Sequence, residues 1–286
     1  MAKSIIFLAL ASCLPSSLAL SCEPVKYLMV FGDSYSTTSS FAGGAPPSTV
    51  NPIGNPNFPG QTTSGGLNWV GQAISQLNTS LVLSYDFAVS GATIDTAIVS
   101  TWAGSGVDDQ VDLFGQYVVD APWTAEETLT VVWIGINDVG HPYWDGIEPP
   151  FDRIMARYLE LLETLYDHGL RRFALFTVPP FDQAPAFLNE PVARVDELRA
   201  DIVTYNNAVY NLLSTFAASH GGVEGQVFDT APSFRAAYAN PQAYGAPDAT
   251  CVNSNGVSCL WYDTYHPGIA IQRLVAESFV EEIDFF

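Results

Sequence analysis

The amino-acid sequence predicts an α/β protein, a three-layer α/β/α sandwich around a central parallel sheet of about five strands. Two observations carry that expectation. Five short apolar runs recur at wide spacing, at residues 26–31, 81–89, 129–136, 173–178 and 226–228, and each reads as a buried strand. Between them lie segments with the three-and-four spacing of helices. Strands that alternate with helices give a parallel sheet covered on both faces, because each crossover lays a helix against the sheet.

The helical segments are legible from their stripes. Phe151, Ile154, Met155, Tyr158, Leu159, Leu162, Leu165 and Tyr166 recur at three and four, while Arg153, Arg157, Glu160 and Glu163 take the other face. That helix packs on one side only. A second stripe runs through Leu198, Ile202, Tyr205, Val209, Leu212, Leu213 and Phe216, and a third through Ile271, Leu274, Val275 and Phe279. The exception is residues 39–66, crowded with Pro, Gly, Asn, Ser and Thr and without either period. A long surface loop is expected there, directly after a segment with catalytic character.

Composition narrows the class. With 286 residues, 48% hydrophobic and 14% charged, the chain can bury a large core, and one catalytic domain over residues 20–286 is the expectation. Residues 1–19 read as a signal peptide: Lys3 precedes an apolar run that is broken by Pro15 and ends in Ser16, Ser17 and Ala19. The mature chain is then expected to be secreted, extracellular and monomeric, with no membrane span. A formal charge of -20 argues against nucleic acid as a partner but leaves a neutral substrate unaffected. Cys13 would leave with the leader. Cys251 and Cys259 sit eight apart in a loop with Asn253, Asn255 and Gly256, where a local disulfide is expected, and Cys22 is left over. Asn78-Thr79-Ser80 is a candidate glycosylation site.

Four segments offer chemistry. Phe31-Gly32-Asp33-Ser34 follows the first strand, so a turn allowed by Gly32 would present Ser34 at the carboxyl edge of the sheet, where open α/β sheets bind ligands. Alone, such a serine more often caps the next helix. Asp263-Thr264-Tyr265-His266 lies in a loop, with Pro267 expected to open the last helix. A three-residue offset on a turn lets the carboxylate reach and orient the imidazole. His168-Gly169 and His220-Gly221 end helical patterns and read as caps. His141 is expected in a loop past the third strand, lining a pocket or facing water. Val89-Ser90-Gly91-Ala92 and Gly135-Ile136-Asn137-Asp138 end the second and third strands. Gly91 would admit a backbone N–H close to a ligand, and the Asn137 amide is an uncharged donor. Asp33 and Asp138 read as turn-shaping residues.

In that order, the four pieces resemble the SGNH or GDSL hydrolases, and the likeness spans nearly the whole mature chain. The resemblance implies a flavodoxin-like fold and an ester hydrolase that needs no cofactor or metal. Ser34 would be the nucleophile, His266 the general base and Asp263 its orienting partner. The Ser34 amide, the Gly91 amide and the Asn137 side chain would form the oxyanion hole. Residues 31–37, Asn68-Trp69-Val70 and the Pro/Gly/Asn-rich loop look most like fungal acetylesterases of carbohydrate esterase family sixteen. That likeness implies acetylated sugars or oligosaccharides, such as xylo-oligosaccharides, as substrates. Tyr35, Trp69, Trp102, Trp133, His141, Tyr143 and Trp144 are then candidates for contact with sugar rings, although most aromatics fill core. Many members carry asparagine five residues before the second-block glycine, where this chain has Asp86. Two other readings stay open: a GDSL lipase or phospholipase for longer acyl chains, and a non-catalytic carbohydrate-binding protein on the same scaffold.

Overall fold

The computed structural model describes residues 25–286, so the expected signal peptide, Cys13 and Cys22 lie outside the described residues. The chain order begins with β1 (Lys26–Gly32), α1 (Trp69–Ser75), β2 (Val82–Asp86), α2 (Val107–Tyr117), β3 (Thr128–Trp133) and α3 (Ile136–Asp145). It continues with α4 (Phe151–Asp167), β4 (Arg172–Phe176), α5 (Val192–Ser219), β5 (Glu224–Phe228), α6 (Ala231–Ala239) and α7 (Ile269–Glu282). All four strand pairings are parallel, and the spatial order is β2-β1-β3-β4-β5. On one side of the sheet α1 and α6 pack on α7, and on the other α4 packs on α2 and α5. The result is the expected three-layer α/β/α sandwich.

This strand order decides where a ligand binds. From β1 the chain first moves outward to β2, then returns to place β3 on the other flank of β1. The connections leaving β1 and β3 therefore diverge, and a crevice opens between the carboxyl ends of these two strands. Ser34 follows β1 and Asn137 follows β3, so both arrive at that crevice.

Differences from the expected elements have physical causes. The third strand stops at Trp133 rather than residue 136, because Gly135 turns left-handed (φ 116°) and begins α3. His141 therefore stands in a helix, not a loop, and the helix is disguised in sequence by Gly140 and Pro142. Pro267 precedes the last helix, whose N-cap is Gly268. The fifth strand begins at Glu224, two residues early; as an edge strand its first three residues face solvent and carry no apolar signal. Residues 39–66 hold neither helix nor strand, as expected. His168 and His220 are the C-caps of α4 and α5.

The core beneath the site is aromatic. Phe176 has its ring centroid 4.7 Å from that of Phe228, 4.8 Å from Phe279, 5.0 Å from Trp69 and 5.3 Å from Trp133. Phe279 of α7 also meets Trp69 and Phe228, so one side chain ties α7 to α1 and to two strands. Truncating a buried phenylalanine costs its transfer energy and leaves a cavity. Phe279→Ala is expected to lower unfolding free energy by about 3–5 kcal/mol, read as a reduced midpoint in urea titration.

Candidate active site

The turn after β1 is over-determined. Asp33 O accepts from the Ser36 and Thr37 amides at 3.1 and 3.0 Å, and Asp33 Oδ1 accepts from the Tyr35 amide at 2.9 Å. Gln110 of α2 holds Gly32 through both backbone groups, accepting from its N–H and donating to its C=O, each at 2.8 Å. From the long loop, the Thr63 hydroxyl donates to Ser34 O at 2.6 Å. Ser34 is thereby fixed with only 6% of its surface exposed, and its Oγ lies 2.8 Å from His266 Nε2.

Asp263 organises its own loop before it meets the imidazole. Its Oδ1 accepts the amides of Tyr265 and His266, both at 2.8 Å, and its Oδ2 lies 2.8 Å from His266 Nδ1. Partial burial pushes the Asp263 carboxyl up, but the bond to His266, the histidine charge and the two amides outweigh it and hold it below its usual value. The loop is locked to the turn that carries Ser34 by the Tyr35 hydroxyl, which donates to Tyr265 O at 2.5 Å. Just before it, the expected disulfide joins Cys251 and Cys259, with Cα atoms 5.1 Å apart. The disulfide-closed loop and the residue that follows it meet the head of α7 through Ile269 N–H to Gly256 O and Gly268 N–H to Leu260 O.

The other two segments converge on the same point. Gly91 adopts φ 83°, and an added Cβ there would lie 2.8 Å from the Trp102 ring. Asn137, in the first turn of α3, donates from Nδ2 to Ala92 O at 2.8 Å, which uses one of its two N–H groups. Asp138 Oδ1 accepts from the Ile94 amide at 3.0 Å, so two neighbouring residues of α3 pin the glycine loop. Asp86 anchors it from behind. Its Oδ2 takes the Thr38 amide and hydroxyl at 2.7 and 2.6 Å, and its Oδ1 takes the Ala88 amide at 3.0 Å. Burial pushes this carboxyl up to about 7 against the pull of those donors. The residue that departs from the family pattern thus serves as a turn anchor.

A cavity of about 420 Å³ opens on these groups, lined by Ser34, Gly91, Asn137 and His266 together with Thr63, Ser90, Trp102, Gly140, His141, Trp144 and Tyr265. Trp102 is 77% exposed and Trp144 47%, the latter stacked on Phe187 at 5.0 Å. His141 lines the cavity, and burial lowers its pKa against the opposing Asp145 carboxylate. Three sequence candidates for sugar contact need correction. Tyr35 and Trp69 are fully buried: the first packs edge-on against Trp133, and the second donates its indole N–H to Ser36 Oγ at 3.0 Å. Tyr143 turns into the protein, against Phe187 and under the Arg194 guanidinium. Trp133 fills core, as its strand position implies. Asn78 sits in the turn after α1, half-buried, its side chain donating to Ser80 O. Sequence reasoning missed Gln110, Thr63 and Tyr265, since an interior helix glutamine and loop hydroxyls carry no motif.

Comparison with known proteins decides the family. A model of the GDSL-like lipase/acylhydrolase family matches residues 28–279. The chain belongs to that family. It is 46% identical over 262 residues to an acetylesterase of Thermothelomyces thermophilus, covering 88% of this chain and 86% of that protein. An acetylesterase of Hypocrea jecorina is 24% identical over 91% of this chain and 89% of its own. Among solved structures, an acetylxylan esterase from Geobacillus stearothermophilus has the same fold, with a TM-score of 0.55, 17% identity and coverage of 91% and 95%. By this membership the chain is a carboxylic ester hydrolase.

Removing the Asp86 carboxyl strands three buried donors, each of which costs about 1–3 kcal/mol when left unpaired. Asp86→Ala is therefore expected to lose roughly 3 kcal/mol or more of stability, checked by chemical denaturation followed through tryptophan fluorescence.

Proposed function

We propose that this chain is a secreted serine esterase that removes short acyl groups, chiefly acetyl, from carbohydrates such as xylo-oligosaccharides. One observation carries the catalytic assignment: Ser34 Oγ, His266 and Asp263 form an unbroken relay with both links at 2.8 Å. With His266 Nδ1–H donating to Asp263, Nε2 is free to take the Ser34 proton as Oγ attacks the acyl carbonyl. The tetrahedral intermediate's oxyanion is held by the Ser34 and Gly91 amides and by the second N–H of Asn137. As the ester C–O bond breaks, His266 gives its proton to the departing sugar oxygen, which leaves as the hydroxyl, and water repeats the sequence to release the acid. The lowered Asp263 pKa supports this division of roles, since it favours the carboxylate that accepts from His266.

Two lines support the carbohydrate reading. Two of the relatives that match most of the chain are acetylesterases, one of them 46% identical. The cavity also presents two indoles, Trp102 and Trp144, to solvent beside the nucleophile, and such faces suit the C–H-rich faces of pyranose rings. The disulfide, the N-terminal pattern and the Asn78 sequon support export as a glycoprotein, with residues 20–286 acting as one monomeric domain. The acidic surface disfavours nucleic acid as a partner.

Ser34→Ala is expected to lower kcat/KM for acetyl esters by about 10⁴-fold or more with an unchanged melting temperature; near wild-type turnover would overturn the mechanism. Across a panel of acetylated xylo-oligosaccharides, acetylated glucosides and longer acyl esters, acetyl substrates are expected to be preferred. Faster hydrolysis of long chains would replace this reading with the lipase one. Trp102→Ala and Trp144→Ala are expected to raise KM for the oligosaccharides by about tenfold and to alter p-nitrophenyl acetate hydrolysis far less.

A further inference from the structure

Four buried oxygens beneath the site have no protein hydrogen-bond partner among the described residues: Asp33 Oδ2, Asp138 Oδ2 and the hydroxyls of Tyr158 and Tyr205. All four side chains are closed to solvent. Asp33 immediately precedes Ser34, and Asp138 immediately follows Asn137. Each carboxyl spends only its other oxygen, Asp33 on the Tyr35 amide and Asp138 on the Ile94 amide. Between them they therefore hold the nucleophile turn and the glycine loop. Tyr205, from α5, packs so tightly under the start of α3 that a Cβ on Gly135 would lie 2.3 Å from its ring.

Charge is the difficulty in this arrangement. No cation acts on either carboxyl among the described residues. The groups that face the pair are Tyr35 and Tyr265 from the site loops, Tyr158 from α4 and Tyr205 from α5, all with hydroxyls raised by burial. None of them supplies a compensating positive charge, and a buried carboxylate without one is strongly disfavoured. An anion at either position would also stand one residue from groups that must stabilise a developing oxyanion.

We propose that Asp33 and Asp138 work as neutral acids, positioning residues that hold the Ser34 turn and the Gly91 and Asn137 donors in register while keeping negative charge away from the oxyanion. This rests on the serine esterase reading. Burial pushes the Asp33 carboxyl up to about 8, with the Asp138 charge adding to it against the Tyr35 amide, and burial pushes Asp138 up to about 7. Both values lie above the roughly 3.9 of an unfolded aspartate, so the folded chain binds these protons more tightly. Their contribution to stability is complete below about pH 4 and is lost as pH rises through about 7 to 8. Activity falls over the same upper range, as the pair ionises beneath the oxyanion donors.

Two measurements test this. Infrared difference spectra of the wild-type protein report protonated carboxyls directly and do not depend on catalysis. A protonated-acid carbonyl band at neutral pH, lost together with activity on the alkaline side and diminished in Asp138→Asn, is the expected result. Its absence at neutral pH would overturn the proposal even if Ser34→Ala confirmed the nucleophile. In kcat/KM profiles on p-nitrophenyl acetate, Asp138→Asn is expected to exceed Asp138→Ala by about tenfold and to move the alkaline midpoint up by less than about one pH unit, because Asp33 still ionises and no longer feels the Asp138 charge. An alkaline limb unmoved by the amide would equally overturn it.

Discussion

A parallel sheet must bury both faces, because each connection between its strands crosses over as a helix. In this chain the crossovers leave β1 and β3 in opposite senses, and four distant segments meet at the crevice between those two strand ends. The aromatic core around Phe176 and Phe279 packs α1 and α7 onto one face of the sheet beneath that crevice. Site geometry is a consequence of this packing: Ser34 and His266 lie 232 residues apart in the chain and 2.8 Å apart in space.

Carboxyl groups do much of the local holding, and they divide by environment. Asp263, partly open to solvent and beside His266, has its pKa lowered and hydrogen-bonds the imidazole. Asp86, buried among three donors, is raised and anchors a turn. Asp33 and Asp138 are buried without cations and each keeps one oxygen unpaired. The same functional group is thus held below its usual pKa in one place and pushed above it in others, with desolvation and neighbouring donors making the difference.

The cleft is built from glycines and tryptophans in close contact. Trp102 rests where a Cβ on Gly91 would stand, so the indole at the rim and the proposed oxyanion donor cannot vary independently. Trp144 is held by stacking on Phe187, which also touches Phe181 and Tyr265. A rim whose aromatic faces are pre-set loses little freedom when a ring settles on them.

The sequence by itself determined the alternation of strands and helices, because buried strands and one-sided helices leave different apolar periods. It also marked Ser34, Gly91, Asn137, Asp263 and His266, because strand-end glycines and a D-x-x-H turn are local patterns. Only the tertiary structure decided which aromatics face the cleft. Tyr35 and Trp69 flank the motifs yet point into the core, while Trp102, remote from any motif, stands over Gly91. Helix α3 was hidden for a related reason, since Gly135, Gly140 and Pro142 weaken its local signal and packing against Tyr205 and Tyr265 replaces what propensity lacks. Orientation of a side chain depends on what fills the space beside it, and that space is made by residues far away in the chain.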